Sequence, residues 1–401
     1  MQHQNKTVVL GVTGGIAAYK AADLTSRLVK LGISVYVIMT QNATQFIAPL
    51  VFETLSSHPV VVDMFAREAP WEVEHISLAK RADVFLIAPA TANVIAKMAH
   101  GIADDMLTST VLATQAPVLV APAMNTNMYN NPATQDNIAL LQARGMHFVG
   151  PGYGKLAEGT YGIGRLIENE TIVDEVERLL YASKDLSGKK VMVTAGPTRE
   201  EIDPVRYISN HASGKMGYEL AKAAKLRGAD VLLITGPSNE RAMHGIDVVN
   251  VVSTHDLYEA CTHFFPNMDI AIMAAAPADF TPEHVATQKI KKVPGQNGVT
   301  LDFVNTQDVA ATLGHMKTQG QMLTIFAAET QNLIENAKRK LFAKHADMVV
   351  LNDVSIPGSG FNSNQNTVTV VTAKGEKPYD IMDKDALAHV LLNEIIAHYR
   401  R

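Results

Sequence analysis

Cysteine is almost absent: Cys261 is the single one in 401 residues. A lone thiol forms no intrachain disulfide and no thiolate metal cluster. Tryptophan is equally scarce, and aromatic residues make up only 6%. No run of about 18 apolar residues occurs, so no conventional membrane-spanning helix is expected. The opening MQHQNKTVVLGV lacks the long apolar core of a signal peptide. There is no basic excess, with 35 Lys and Arg against 40 Asp and Glu and a net charge of −5. Nucleic acid is therefore a poor partner, and a cytoplasmic protein is the expectation.

What remains is a globular composition, 47% hydrophobic and 19% charged. The length exceeds what one ordinary core supports, so two domains are expected. Residues 7–12 read as a buried strand. Ala21, Leu24, Leu28 and Leu31 then recur at helical spacing, with Gly32 placed to end the helix. Further strands are expected at 34–40, 84–88 and 118–121, with a fifth candidate at 147–149. Apolar runs without polar alternation suit strands covered on both faces. The pattern restarts after SKDLSGKK (183–190). Strands are expected at 191–194, 231–235, 248–252, 270–273, 323–326 and 348–351, with a helix at 218–227 and a late hairpin around Lys374-Gly375. The predicted fold class is α/β: two doubly wound, mainly parallel-sheet Rossmann-like domains, at 1–185 and 188–401.

Small polar and glycine residues gather at predicted strand ends. GVTGGIAAYK (11–20) places Gly14 and Gly15 before a helix, where backbone N–H groups can approach an anion. A tight turn without a ligand explains the same glycines about as well. Thr40, Asn42 and Thr44 follow the second strand, and APATAN (88–93) puts Thr91 and Asn93 after the third. In an open α/β sheet these are the positions that line a ligand crevice. APAMNTNMY (121–129) adds Asn125, Asn127, Met124 and Met128 after the fourth; a Met-rich core contact with turn asparagines is the competing explanation. His75, in WEVEHISLAK beside Glu72 and Glu74, has no chemistry assigned by its neighbours alone.

Together with GIADDML (101–107), these motifs resemble the flavin-dependent cysteine decarboxylases, over about residues 5–180. PAMNTNM is the specific element; the glycine loop is not. The resemblance implies FMN. The flavin takes two electrons from the cysteinyl C–S unit to give a thioaldehyde, CO2 leaves from the thioaldehyde as an enethiolate forms, and reduced flavin returns the electrons. It also implies that His75 assists the oxidation and that Asn125 binds the substrate carboxylate beside Met128. Where such proteins often carry a cysteine proton donor, this sequence has Glu158, in GKLAEGTYGIGRL (154–166). Glu158 can donate if burial raises its pKa. Otherwise the reaction stops at the enethiol, or Glu158 is a surface loop residue.

In the second half, DPVRYISNHASGKMG (203–217) holds a Gly-Lys pair before a helix. It is not a P-loop, because Ser209 stands where the earlier glycine belongs and Met216 follows Lys215. Arg206 offers a fork for carboxylate or phosphate. MAAAPADF (273–280), QKIKK (288–292), NTQDVAA (305–311), IFAAET (325–330) and the i, i+4 pair Lys340 and Lys344 border further strand ends. A carboxylate, an aromatic and several lysines there suit a nucleoside triphosphate and its metal, although each lysine alone reads as a solvated residue. The block AGPTRE to SGKMG, with KIKK, FAAET and LNDVS plus GFNSNQN, closely resembles the phosphopantothenate–cysteine ligases of coenzyme A synthesis, over about 188–398.

That resemblance implies CTP, a choice over ATP that residue types alone do not make. The carboxylate of 4′-phosphopantothenate attacks the α-phosphorus, and cysteine displaces CMP from the acyl cytidylate. Asn210 would hold that intermediate, with Arg206 nearby, and Lys289 would steady the triphosphate. Met273, Ala274 and Ala275 would read base and ribose. Asp279, Gln307, Asp308, Val309, Ala310 and Phe326 would line the site, with Lys340 and Lys344 on phosphates and Mg2+ near Asp279 and Asp308. The resemblance further implies a homo-oligomer, up to a dodecamer. Two other functions stay open from sequence: an NAD(P)-dependent reductase, disfavoured by the glycine spacing, and a non-enzymatic flavin-binding regulatory protein.

Overall fold

The computed structural model describes residues 5–65, 73–292, 294, 298–329, 331–353 and 363–399. Glu72, Thr330, the 354–355 end of LNDVS and the start of GFNSNQN lie outside them. The chain forms two compact units, Met1–Ala182 and Ser183–Arg401.

The first unit is built on six strands: β1 (Thr7–Val12), β2 (Ser34–Met39), β3 (Val60–Val61), β4 (Val84–Ala90), β5 (Val118–Pro122) and β6 (His147–Phe148). They lie in the order β3-β2-β1-β4-β5-β6, every pair parallel. The order reverses between β1 and β4, which opens a crevice at their carboxyl ends. Side chains alternate between faces along a strand. Val8, Leu10 and Val12 therefore join Leu24 and Leu28 in one layer, while Val9 joins Phe85 and Ile87 in the other. Both faces are buried, which is why these strands are continuous apolar runs.

A glycine-rich hairpin follows, β7 (Gly152–Lys155) and β8 (Tyr161–Arg165). It lies against the turn after β5, where Met124 N–H donates to Gly164 O at 2.9 Å. Gly164 has φ +137°, and a Cβ there would stand 2.2 Å from Met124 O. Only glycine permits that approach.

The second unit adds β9 (Lys190–Ala195), β10 (Arg199–Asp203), β11 (Arg206–Ser209), β12 (Asp230–Thr235), β13 (Asp247–Asn250), β14 (Ile270–Met273), β15 (Phe280–Pro282), β16 (Phe303–Asn305), β17 (Met322–Glu329), β18 (Met348–Asp353), β19 (Gln365–Thr372) and β20 (Gly375–Asp383). Its main sheet runs β13-β12-β9-β14-β17-β18-β19-β20. The first six are parallel, and β19 and β20 close the edge as the antiparallel hairpin expected there. The helices Lys215–Leu226 and Lys384–Tyr399 cover one face through Leu220, Ala224, Leu387 and Leu391.

Two small ribbons, β10–β11 and β15–β16, were not foreseen. In β10 the buried positions belong to charged residues, Glu200 and Asp203, so the apolar alternation that marks a strand is missing.

Candidate active sites

In the first unit the strand-end loops are stitched together by Thr13. Its Oγ1 donates to Pro89 O at 2.7 Å and accepts from Thr91 N–H at 3.0 Å. This joins the loops after β1 and β4. Thr13 is fully buried, and its place in a glycine loop gave no sequence cue to that role. Gly14 packs against Asn42, where a Cβ would come within 2.5 Å of Asn42 Cβ. Gly15 caps a 3-10 turn, Ile16–Tyr19, that runs into the helix Lys20–Lys30. Thr40 Oγ1 accepts from Ala43 N–H at 3.3 Å, and Thr91 caps the helix Ala92–His100 through Val94 N–H. Asn93 is exposed beside it.

A cavity of about 440 Å³ opens here, with Gly15 and Ile16 on one side, Met124 and Asn125 on another, and Leu156 and Glu158 across from them. The space above PAMNTNM is thus open, not filled by side chains. Its wall is apolar at Ile16, Met124, Leu156 and Leu166, and cationic at Lys20, Lys155 and Arg165. Burial first, then the charge of Arg165, lowers the Lys20 pKa below its ordinary value. A helix start, three cations and an apolar wall fit a planar ligand that carries a phosphate.

Asn125 Oδ1 accepts from Asn127 N–H at 2.7 Å and Met128 N–H at 3.4 Å, which caps the short helix Thr126–Asn130. Its Nδ2 donates to Glu158 Oε1. Thr160 Oγ1 donates to the same oxygen at 3.3 Å. Glu158 is exposed, and its own backbone N–H, then Asn125 and Thr160, hold the carboxyl below its ordinary pKa. The premise that burial raises this pKa is therefore corrected: the hydrogen bonds around the carboxyl favour its anion. Met128 is half exposed and does not line the cavity. Neither does His75, part-buried on the helix Glu74–Arg81.

In the second unit a cavity of about 380 Å³ sits at the carboxyl ends of β9, β14 and β17. Met273, Ala275 and Asp279 line it from β14 and the loop beyond. Gln307, Asp308, Val309 and Ala310 line it from the start of the helix Val309–Met316. Phe326, Lys340 and Lys344 complete it. Residues scattered over more than 70 positions thus converge, while Ala274 and Lys289 do not line the cavity. Asn305 and Thr306, from the NTQDVAA stretch, also line it, as does Thr194, a short polar side chain inside an apolar strand that carried no signal of its own.

Several of these groups are already engaged. Asp308 caps its helix by accepting from Ala311 N–H at 3.0 Å, and it pairs with Lys344 at 3.0 Å. Lys340 pairs with Glu329 at 2.7 Å. Asp279 is exposed. Among the described residues no group of three His, Cys, Asp or Glu side chains converges to hold a metal. Asp279 and Asp308 are the two carboxylates on the cavity wall.

Asn210 reaches the same loop from β11, its Nδ2 donating to Ala276 O at 3.0 Å and Pro277 O at 2.9 Å. Arg206 does not face this cavity. Its guanidinium binds Asp203 through Nε at 3.0 Å and Nη2 at 2.5 Å, and Ile290 O at 2.7 Å. In the Gly-Lys pair, Lys215 Nζ donates to Asn364 Oδ1 at 2.9 Å.

Comparison with known proteins decides the assignment. Residues 1–181 match the Flavoprotein family, and residues 186–399 match the DNA/pantothenate metabolism flavoprotein C-terminal domain. The coenzyme A biosynthesis bifunctional protein CoaBC of Bacillus subtilis is 47% identical over 98% of this chain and 97% of its own. The chain belongs to this family. The proteins of the same name from Vibrio parahaemolyticus and Escherichia coli K12 are 44% and 41% identical, over 97% and 100% of this chain and 98% of their own.

As a member, the chain is a bifunctional enzyme of coenzyme A biosynthesis, with a flavoprotein decarboxylase unit followed by a ligase unit. Neither the nicotinamide-dependent reductase nor the non-enzymatic flavin carrier survives that match. Among the described residues no helix is long and apolar enough to cross a membrane.

Proposed function

We propose that the second unit joins 4′-phosphopantothenate to cysteine with CTP and Mg2+, and that the first unit, with FMN, converts the product to 4′-phosphopantetheine. The observation that carries this reading is the second cavity, where a carboxylate pair, two lysines, an aromatic and small strand-end residues meet. A carboxylate is a poor electrophile, so it needs a leaving group. The mixed anhydride with CMP provides one, and cysteine's amine then displaces CMP. Phe326 and the β14 end suit the base. Lys340 and Lys344 suit the phosphates once these displace Glu329 and Asp308, and Asp279 and Asp308 suit Mg2+. Asn210, which donates to Ala276 O and Pro277 O, suits the acyl intermediate. Lys289 is the cation assigned to charge developing on the triphosphate.

In the first unit FMN is assigned to the strand ends that carry Gly14, Gly15, Thr40, Thr91 and Asn93, of which only Gly15 lines the cavity. Bound flavin supplies the two-electron chemistry. Asn125 holds the substrate carboxylate until CO2 leaves, and Glu158 delivers the last proton. His75 stands apart from the cavity within one chain, so its assistance fits an assembly in which a second copy brings it in. A homo-oligomer, in the cytoplasm, is part of this reading.

The ligase assignment is tested with CTP and phosphopantothenate without cysteine. One pyrophosphate per active site and an acyl cytidylate detected by mass are expected. Pyrophosphate released from ATP in preference to CTP, or none from either, contradicts it.

A further inference from the structure

The segment that carries Lys289 is held by a buried acid on the β10–β11 ribbon. Asp203 is fully buried, yet five donors converge on its two oxygens. Oδ1 accepts from Val205 N–H and Arg206 N–H, both at 2.9 Å. Oδ2 accepts from Arg206 Nε at 3.0 Å, Arg206 Nη2 at 2.5 Å and Ile290 N–H at 3.1 Å. Arg206 Nη2 then donates to Ile290 O at 2.7 Å. Both backbone polar groups of Ile290 are thus gripped by one acid–base pair. Four residues earlier, Ala286 N–H donates to Ile202 O at 3.0 Å, from the same ribbon.

Around these anchors Lys289, Lys291 and Lys292 are exposed. A turn-forming aspartate needs only the Val205 and Arg206 N–H groups. Of the other three bonds two come from Arg206, and the third reaches across 87 positions to Ile290, the neighbour of Lys289. The ribbon is itself fixed to the nucleotide cavity's frame: Glu200 Oε1 accepts from Thr254 N–H at 2.8 Å, and Thr198 Oγ1 accepts from Ala278 N–H at 2.9 Å.

We infer that Asp203 and Arg206 are positioning residues that clamp the backbone beside Lys289 and so fix where its ammonium meets the triphosphate. The inference rests on the reading of Lys289 given above. It reassigns Arg206 from holding substrate to holding the chain. Charge-assisted bonds from a buried carboxylate are short and directional, which is what a fixed lysine requires. An amide in place of the carboxylate has the same shape but turns one acceptor into a donor, facing Ile290 N–H or Arg206.

The test uses the full-length flavin-loaded protein and the variants Asp203→Asn, Arg206→Gln and Lys289→Ala, with both double variants. Expected for Asp203→Asn and Arg206→Gln is a tenfold or greater loss of kcat/KM for CTP, with KM for cysteine within twofold of the parent. Decarboxylase activity on supplied phosphopantothenoylcysteine stays unchanged and reports an intact chain. Trypsin cleavage after Lys289, Lys291 and Lys292 accelerates about tenfold in the exposed variant Arg206→Gln, even if Asp203→Asn misfolds. In the Lys289→Ala background the clamp variants cost less than threefold more, because their effect runs through Lys289. Fully additive losses, or cleavage at the parent rate, overturn the clamp. Full ligase activity in Lys289→Ala overturns the reading of Lys289 itself, a separate failure from unchanged cleavage.

Discussion

The side-chain amide of Asn125 donates to the carboxylate of Glu158, so the residue assigned to bind a substrate carboxylate already holds one from its own chain. The bonds around Glu158 favour its anion, and a substrate carboxylate bound at Asn125 would displace it or share the amide. Two negative carboxylates at one amide disfavour each other's charge, which moves Glu158 toward its acid form. Glu158→Gln is therefore expected to keep ligase activity and CO2 release but to accumulate an enethiol two mass units lighter than phosphopantetheine. Mass analysis checks this; normal phosphopantetheine from the variant removes Glu158 from the reaction.

Cys261 offers no alternative donor. It is fully buried in the helix Thr254–Phe264 of the second unit, and burial pushes its thiol up to about 12. Cys261→Ala is expected to complete the reduction, because the thiol lies in the other unit and takes no part in it. Thiol reagents are expected to leave the native protein unmodified. Enethiol accumulation in Cys261→Ala is the contrary result.

Asp308 combines two tasks that one substitution separates. Asparagine caps helices as well as aspartate does, but lacks the charge for Lys344 or Mg2+. Asp308→Asn is expected to hold stability within about 0.5 kcal/mol while KM for CTP-Mg rises about tenfold, as for loss of one charged contact. Asp308→Ala loses the cap as well, at about 1 kcal/mol. Thermal melts and CTP kinetics measured together discriminate the cap from the charge.

Lys384 gives a pH signature. It is almost fully buried, and burial, then the nearby Lys215 charge, lower it to about 8. A lysine pKa lowered by folding means that the folded state disfavours the bound proton. The resulting penalty is complete below about pH 8 and is relieved as pH rises from there toward the ordinary lysine value of about 10.4. Melting temperature of the second unit is expected to carry a rising component between pH 8 and 10, which flattens in Lys384→Met. An identical pH profile in that variant contradicts the burial argument.

Much of the fold was legible because both sheets are covered on both faces. The runs at Val8–Val12, Val84–Ala88 and Ile270–Met273 are apolar without alternation, and each is a central strand. The ribbon β10–β11 was hidden because its inward side chains are Glu200 and Asp203. The hairpin β7–β8 was hidden because Gly152, Gly154, Gly162 and Gly164 take alternate positions in it, which leaves no apolar side-chain period. The gathering of polar residue types at strand ends of the second unit could be read from sequence, and Asp308, Phe326 and Lys340 do line one cavity there. The engagement of Arg206 with Asp203 could not, since the spacing of three residues fits an isolated turn equally well.

The most direct measurement supplies the full-length flavin-loaded protein with 4′-phosphopantothenate, CTP, Mg2+ and cysteine, and follows products by mass. The account predicts CMP, pyrophosphate, CO2 and 4′-phosphopantetheine in equal amounts. Phosphopantothenoylcysteine that accumulates without CO2, or cysteine left unligated, contradicts it.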